Sequence, residues 1–234
     1  MSWQRLVVER RMLRFGGSGG HKPNYTPSLS LEKRLRRQGF ANIAGVDEVG
    51  RGAFAGPVVA AAVIFPADFQ IPEGFADSKQ VRPQKRLKFA ELIKKEALAY
   101  SIAEVGLTKI NKFGIGKAAQ IAFRKALKEL TPQADFVLID AFYIRHLNRK
   151  NQKPIVKGDE KCASIAAASI IAKVYRDNLM KKLSKKYPEY RLGKNKGYGT
   201  REHRLAIRKY GFTRVHRKSF NLSYLISQNW SPSF

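Results

Sequence analysis

The sequence predicts an α/β protein in which helices pack on a mixed β-sheet. The first observation is an uninterrupted apolar run at residues 58–65, which is typical of a strand covered on both faces. The second is the order of elements, because strands come first and then alternate with helical segments. The third is size, since 234 residues with 44% hydrophobic content can bury a full core.

The first predicted elements are a short helix at residues 30–39 and a strand at residues 43–46. Ser30 is a favourable N-cap residue and Gly39 a favourable helix stop, with basic side chains near the C-terminal end. The strand at residues 58–65 follows, and a proline bounds it on each side.

A proline also begins the next helix, which is predicted over residues 83–98. Pro83 suits the first helical turn, and Leu87 belongs to the predicted apolar face. A loosely alternating strand at residues 100–107 and a helix at residues 116–130 come next.

The remaining elements are two strands, one long helix and a tail. The strand at residues 136–139 ends on Asp140, and a short strand covers residues 154–156. Residues 160–186 are predicted as one continuous helix, Ala-rich at first and lysine-rich at its end. The basic, aromatic segment 187–234 is predicted as an extension of helices and loops that carries part of a substrate site.

The charge of the chain indicates a polyanionic partner. There are 45 Lys and Arg residues against 18 Asp and Glu, which gives a formal net charge of +27. Such an excess points to nucleic acid or an anionic membrane. No apolar run approaches the roughly 20 residues that span a bilayer, and no signal-peptide core is visible. We therefore expect a soluble cytoplasmic protein.

The domain organisation is predicted as one core with two appendages. Residues 1–22 are basic and glycine-rich near their end, which is typical of a flexible arm, and the core covers residues 23–186. Cys162 is the only cysteine, so an internal disulfide is excluded. Its Ala-rich surroundings predict a buried thiol rather than a nucleophile. The scattered histidines show no zinc-ligand spacing.

Acidic residues fall at the ends of three predicted strands. Asp47 and Glu48 follow the first strand, Asp140 ends another, and Asp159 follows a third. Because ligands of open α/β sheets gather at the C-terminal ends of strands, these carboxylates can converge. Carboxylates so close need a counter-charge, and Mg²⁺ or Mn²⁺ prefers such oxygen ligands. Two ions roughly 3.5–4 Å apart would activate a water molecule and stabilise the leaving oxygen of a phosphodiester.

Two features of these acids leave their geometry open. Neighbours on a regular strand point to opposite faces, so Asp47 and Glu48 share a site only if the strand ends or bulges, or if Glu48 reaches round. Asp177 competes with Asp159, but on a continuous helix it would lie about 27 Å farther along the axis. We favour Asp159, because negative charge is favourable at a helix N-terminus. For Asp177 the expected partners are nearby basic residues: Lys173, Arg176 or Lys181.

Further candidates for substrate contacts are Gly50, Arg51, Gly52, Ser78, Lys79 and Tyr198. The Gly-Arg-Gly tripeptide lets backbone approach a ligand and presents N–H groups, although a plain turn explains it equally well. Ser78 and Lys79 could hold a phosphate or form a solvated loop. Tyr198, between two glycines, is expected to be exposed. It could stack on a sugar or base, bond a 2′-OH, or only pack in a turn.

Short motifs follow one another in order between residues 25 and 220: GVDEVGRG at 45–52, DSK at 77–79, LID at 138–140, VKGD at 156–159, AASIIAKV at 167–174, KGYGT at 196–200 and HRKSF at 216–220. In this order they resemble bacterial ribonuclease HII, of the ribonuclease H-like superfamily. One departure is Ala141, which stands after the third acid where glycine is common.

The resemblance implies a ribonuclease H-like fold, with a mixed five-stranded sheet flanked by helices and a C-terminal helical extension. It implies a monomeric endoribonuclease that hydrolyses the RNA strand of RNA–DNA hybrids. It also implies incision 5′ of single ribonucleotides embedded in duplex DNA, as in ribonucleotide excision repair, leaving 3′-OH and 5′-phosphate ends. The catalytic residues, binding two Mg²⁺ or Mn²⁺ ions, would be Asp47, Glu48, Asp140 and Asp159. Residues 50–52 and Tyr198 would recognise the 2′-OH at the RNA–DNA junction, and Ser78 and Lys79 would contact phosphate.

Two alternatives belong to other functional classes. A non-catalytic basic nucleic-acid-binding protein would explain the charge but leave the four acids unexplained. Another nuclease of the same fold, such as a junction resolvase, would share the acids but ignore a ribonucleotide. Metal-dependent nicking at a single ribonucleotide in duplex DNA separates all three classes.

Overall fold

The computed structural model describes residues 26–76 and 78–226, so the predicted arm at residues 1–22 and Asp77 lie outside the described residues. The strands are β1 Ile43–Val49, β2 Val58–Ile64, β3 Ala99–Val105, β4 Phe136–Asp140 and β5 Gln152–Ile155. They form a five-stranded sheet in the order β3-β2-β1-β4-β5. β1–β2 and β2–β3 are antiparallel, whereas β1–β4 and β4–β5 are parallel. The predicted mixed sheet is therefore confirmed.

Helices cover both faces of this sheet. The described residues form the α-helices α1 Ser30–Arg37, α2 Pro83–Glu96, α3 Leu107–Lys128, α4 Gly158–Lys161, α5 Ala163–Lys186, α6 Leu192–Asn195 and α7 Arg201–Tyr210. α3 packs on one face, where Ala60 and Phe123 belong to one buried cluster. α5 and α2 cover the other face, where Ala61 and Ile170 belong to a second cluster. Every residue of β2 is buried, as its unbroken apolar run predicts.

Two predicted helix boundaries are wrong because tertiary contacts replace local signals. α1 has Leu29 at its N-cap position, and no side chain caps it, so Ser30 is not the cap. The long helix predicted from residue 160 is broken at Cys162, whose backbone is extended. Ser28 pairs with this residue: its N–H donates to Lys161 O at 3.0 Å, and its carbonyl accepts from the N–H of Ala163 at 3.0 Å.

Two further helices differ from the prediction: α3 in its length and α2 in the residues of its buried face. α3 begins at Leu107, well before the predicted start, because Gly114 with a φ of 77° joins two helical segments. The apolar face of α2 does not include Leu87, which is 43% exposed. Its buried residues follow a helical stripe instead: Arg86, Phe89, Ala90 and Ile93.

The end of the chain forms a C-terminal extension, described over residues 187–226, with its own small core. Tyr190, Leu192, Ile207 and Leu225 are buried there together with Ala55. This core ties the extension to the segment between β1 and β2. The predicted division at residue 186 stays a prediction. Among the described residues, no helix has both the length and the apolarity required to cross a bilayer.

The N-terminal end of α5 lies directly against β1, and two residues make this contact possible. Glu32 of α1, which is 2% exposed, accepts from the N–H of Ser164 at 3.1 Å and from its hydroxyl at 2.6 Å. It therefore caps a helix from a remote part of the chain. Gly45 of β1 provides the space, since a Cβ there would lie 2.1 Å from the Ser164 carbonyl carbon.

We expect Gly45→Ala to destabilise the protein by about 3 kcal/mol, because the methyl group would push α5 off the sheet. The free energy of unfolding from urea titrations followed by circular dichroism measures the change. Gly106→Ala is the matched control, since a Cβ at Gly106 would meet no atom within 4 Å. A Gly45→Ala variant as stable as the control would contradict the proposed close packing.

Candidate active site

The strand register brings acidic residues to one edge of the sheet. The last parallel pair between β1 and β4 is Val46 with Ile139. Asp47 and Asp140 come directly after these two residues, at the C-terminal ends of neighbouring strands. Asp159 lies in α4, shortly after the end of β5. The edge predicted from the sequence therefore carries all of these carboxylates.

Asp47 and Glu48 lie on opposite faces of β1. The strand does not end or bulge at this pair, because β1 stays in register with β2 through Val49. Asp47 is 6% exposed and its side chain forms a hydrogen bond with Ser169 of α5. The side chain of Glu48, the next residue, points to the other face of the strand. Both residues nevertheless line one cavity of about 340 Å³. Of the predicted geometries, Glu48 reaching round the strand edge is the one that fits.

The four acids are here called the carboxylate cluster (Asp47, Glu48, Asp140 and Asp159), and charges within it help to raise the pKa values of Asp47 and Glu48. Burial raises the pKa of Asp47 well above its usual 3.8, and the charges of the other three carboxylates add to this effect. Burial also raises the pKa of Glu48 to about 7, with Arg51 opposing the shift and Asp140 adding to it. The cluster thus concentrates negative charge at this edge of the sheet.

Three carboxylates of the cluster, those of Glu48, Asp159 and Asp140, each contact a hydrogen-bond donor from elsewhere in the protein. Arg51 donates to Glu48 Oε1 at 3.3 Å, and Lys79 Nζ lies 3.0 Å from Asp159 Oδ2. Asp140 Oδ1 accepts from the N–H of Gly158 at 2.8 Å.

These contacts bear on the fit of a metal ion. Within residues 26–76 and 78–226, no three Asp, Glu, His or Cys side chains form a group arranged to hold one. The donor set still suits hard divalent cations, because it is all oxygen and its crowded charge raises the pKa of Asp47. Lys79 and Arg51 now supply part of the counter-charge that such ions would bring.

The residue after Asp140 explains one departure noted in the sequence. Ala141 has a φ of 65°, in the left-handed region that favours glycine. The turn is tight, since the N–H of Phe142 donates to Asp140 O at 2.9 Å. This backbone directs the chain away from the sheet immediately after the carboxylate.

Ser78 and Lys79 lie at the cavity, but in different surroundings. Ser78 is 3% exposed, and its hydroxyl is 2.8 Å from that of Ser169, which in turn bonds Asp47. The Lys79 side chain is 75% exposed, so its ammonium can also reach a ligand. Ser78 is thus not part of the solvated loop that one sequence interpretation allowed.

Other residues at this site were not identified from the sequence. Ser169 links Asp47 to Ser78, and Lys173 lines the cavity. Lys173 is held by Asp177 at 2.5 Å, which confirms an ion pair for that acid; Arg86 lies 3.7 Å from it as well. Arg86 also donates to Ser78 O at 2.8 Å. The i,i+4 spacing of Lys173 and Asp177 within α5 is visible in the sequence, but the contacts of Ser169 with Ser78 and of Arg86 with Asp177 join separate elements, so sequence spacing could not find them.

The Gly-Arg-Gly tripeptide begins the active-site loop, residues 50–57. Gly50 has a φ of 91°, and a Cβ there would lie 2.2 Å from Nε of Arg176. Gly52 is exposed, and a Cβ there would meet no atom within 4 Å, so its backbone is open to a ligand. Arg51 lies over the ring of Phe142, 5.0 Å from its centroid.

Tyr198 comes from the C-terminal extension and lines the same cavity as Asp47 and Glu48. It is half-buried rather than exposed, because the Arg176 guanidinium lies 5.6 Å from its ring centroid and its backbone pairs with Ala53. The structure therefore brings the acids, the loop and this tyrosine together from distant parts of the chain.

Cys162 has no place at this site. It is fully buried, and burial raises the pKa of its thiol to about 12, with the charge of Glu32 adding to the shift. The prediction of a buried, unreactive thiol is confirmed.

Known proteins of one family resemble this chain over most of its length. The family profile described as Ribonuclease HII matches residues 44–223. Ribonuclease HII of Caldanaerobacter subterraneus subsp. tengcongensis is 49% identical over 189 residues, which cover 81% of this chain and 78% of that protein.

Solved structures share the fold. Ribonuclease H2 from Pyrococcus horikoshii OT3 matches with a TM-score of 0.64 at 26% identity, over 77% of this chain and 94% of that one. The Bst-RNase HIII structure in complex with Mn²⁺ matches with a TM-score of 0.54 at 19% identity, over 88% of this chain and 73% of that one. At that identity the second match bears on the fold alone.

We expect Asp47→Asn to stabilise the metal-free protein, because it removes one charge from the crowded carboxylate cluster and keeps an acceptor oxygen. The gain near pH 8 should be about 1 kcal/mol, the usual size of a single-residue effect. The folded-state pKa of Asp47 is raised, so the wild type loses stability as pH rises above 3.8. The gain should therefore grow between pH 5 and pH 8.

Melting temperatures in EDTA across this pH range measure the difference. The exposed Asp68 supplies the control variant, Asp68→Asn, which should leave the melting temperature unchanged. A destabilised Asp47→Asn protein, or a gain that shrinks with rising pH, would disprove the crowding of charge.

Proposed function

The chain belongs to the ribonuclease HII family, and from that premise we propose that it incises DNA duplexes on the 5′ side of single embedded ribonucleotides. It is an endoribonuclease of ribonuclease H type 2, and this family acts on RNA–DNA hybrids. The observation that carries the proposal is the convergence of four carboxylates beside an open glycine backbone. The non-catalytic binding protein is set aside, because it leaves these carboxylates without a role.

The carboxylate cluster is the proposed metal site. The ribonuclease H family is metal-dependent; the solved ribonuclease HIII contains Mn²⁺, and we assign Mg²⁺ or Mn²⁺ here, two ions during catalysis. Such ions would activate a water molecule and stabilise the leaving oxygen, giving 3′-OH and 5′-phosphate ends. Asp47 and Asp140 would bind at the strand ends, with Glu48 and Asp159 turning from Arg51 and Lys79 to complete the site.

Substrate recognition is assigned to the loop and the extension. The open backbone of Gly52, with Gly50 and Arg51, would approach the 2′-OH at the RNA–DNA junction, and Tyr198 would contact the adjoining sugar or base. Lys79, freed from Asp159 by a metal ion, would contact phosphate. Ser78 would do so through its hydroxyl, which in the free protein lies 2.8 Å from that of Ser169.

The pathway, the cellular compartment and the oligomeric state are also inferred from the family. A role in ribonucleotide excision repair in the cytoplasm, by a monomer, agrees with incision at single ribonucleotides. The net charge of +27 suits a duplex substrate, whose phosphates would be contacted without regard to sequence.

The central test is nicking of a DNA duplex that contains one ribonucleotide, with Mg²⁺, Mn²⁺ or EDTA. We expect a metal-dependent cut on the 5′ side of the ribonucleotide and none in an all-DNA duplex. Asp140→Asn should lower the rate more than about 100-fold, because it removes a metal-binding charge. It should still bind the duplex, since its amide oxygen can accept from Gly158. Cutting in EDTA, or normal turnover by Asp140→Asn, would disprove the metal site.

A second test concerns Tyr198. Tyr198→Ala should reduce the preference for the embedded ribonucleotide over an RNA–DNA hybrid by about 10-fold, as expected when one stacking contact is lost. Tyr198→Phe keeps the ring, so it should lose only the part of this preference that the hydroxyl contributes. The ratio of kcat/KM on the two substrates measures this preference. An unchanged ratio in Tyr198→Ala would assign the tyrosine a packing role.

A further inference from the structure

Two histidines meet inside the C-terminal extension, away from the carboxylate cluster. His203 of α7 is fully buried and His216 is 3% exposed. Their Nε2 atoms are 3.2 Å apart. At the other side of each ring, His203 Nδ1 lies 3.0 Å from Tyr198 O, and His216 Nδ1 lies 2.9 Å from the backbone nitrogen of Thr213.

The partners of the two rings determine where the protons are. A carbonyl oxygen only accepts, so His203 must carry its proton on Nδ1 and donate it to Tyr198 O. A backbone N–H only donates, so His216 Nδ1 must be bare to accept from Thr213. Its proton is then on Nε2, which donates to the bare Nε2 of His203. The two neutral rings therefore hold opposite tautomers, and every ring nitrogen has a partner.

Both rings are held in the neutral form by their surroundings. Burial lowers the pKa of His203, and burial together with the charge of His203 lowers the pKa of His216 to about 4. The neighbouring rings are aromatic: Tyr190 lies 4.9 Å from His216 and Phe54 lies 6.2 Å from His203, centroid to centroid. A proton added to Nε2 of His203 would break the chain of hydrogen bonds, because two donors would then face each other. A proton added to Nδ1 of His216 would displace the N–H of Thr213, and the Thr213 hydroxyl, 3.0 Å away, would be its acceptor.

The chain of hydrogen bonds ends on the backbone of Tyr198. The two residues before it are in the left-handed region, with φ of 55° at Lys196 and 78° at Gly197. For Lys196, which is not a glycine, such a backbone needs external contacts to persist. Tyr198 O receives them from the N–H of Thr200 at 2.8 Å and from His203. The carbonyl, and with it the ring that lines the cavity, is thus held by a side chain from the next helix.

We propose that His203 and His216 are positioning residues, which hold Tyr198 for substrate recognition through a relay of fixed tautomers running from Thr213 to Tyr198. The inference rests on the proposed function, because it assumes that Tyr198 contacts the substrate. The relay itself is a property of the free protein and can be observed without any substrate.

Long-range ¹H–¹⁵N correlation spectra of the wild-type protein test the relay directly. At pH 7.5 His203 should give the pattern of the Nδ1–H tautomer and His216 that of the Nε2–H tautomer. Single His→Gln variants assign the two signals. The same tautomer in both rings, or a protonated ring at this pH, would overturn the proposal whatever the enzyme cleaves.

Two substitutions at His203 then separate positioning from folding. Asn places an amide N–H close to the place of Nδ1 and can still donate to Tyr198 O, whereas Gln reaches the place of Nε2 and cannot. His203→Gln should lower the kcat/KM ratio of embedded ribonucleotide to hybrid by about 10-fold, as expected for the loss of one buried hydrogen bond. His203→Asn should restore most of it. Melting curves identify the variants that remain folded.

The same comparison in a Tyr198→Ala background completes the test. If His203 acts through Tyr198, His203→Gln should change the ratio no further in that background. Equal ratios for the Asn and Gln variants, or an equally large Gln effect without Tyr198, would overturn the positioning role. A wild type that does not nick the duplex at the embedded ribonucleotide, but shows the opposite tautomers, would contradict the proposed function and leave the relay standing.

Discussion

The guanidinium groups of Arg176 and Arg217 join the active-site loop to the rest of the molecule. Arg176 donates to the carbonyls of Pro57, Ala55 and Lys196 at 2.9 to 3.2 Å, and Arg217 donates to those of Gly56 and Arg51 at 2.9 and 2.8 Å. Burial lowers the pKa of both arginines; for Arg217, where the charge of Arg176 adds to the effect, it falls to about 9, so this side chain remains charged near neutral pH. A buried charge is tolerated only when it is hydrogen-bonded, and here loop carbonyls supply those bonds.

This arrangement makes the loop and the C-terminal extension depend on each other. Lys196 O receives a bond from the same arginine that holds Ala55 O, so the turn before Tyr198 is built against the loop. The packing is close at two glycines, since a Cβ at Gly197 would lie 2.4 Å from Ala55 O and a Cβ at Gly50 would lie 2.2 Å from Nε of Arg176. The cavity between them is thus formed jointly by the sheet edge and the extension, and neither part forms it alone.

The carboxylate cluster shows how a basic chain maintains a concentrated negative site. Charges within the cluster raise the pKa of Asp47, and basic residues from separate segments reduce the repulsion: Arg51 from the loop and Lys79 from the segment before α2. Exposed ion pairs contribute little to stability, so the contact of Lys79 with Asp159 is more easily exchanged than the buried bonds of Arg176. The contact that is most easily exchanged therefore lies at the solvent side of the site.

The sequence by itself determined the α/β class, the strands and the edge at which the acids meet, because apolar runs and strand order are local properties. It also singled out Gly50 and Tyr198, although only the resemblance to a family assigned them a role. The break at Cys162, the cap by Glu32 and the tautomers of His203 and His216 were decided by tertiary structure. The first two depend on partners far away in the chain, Ser28 and Ser164, and the tautomers depend on the contact between the two rings, which packing brings together from separate segments. Spacing encodes periodicity within one element, but a hydrogen bond between elements exists only once packing has brought its donor and acceptor together.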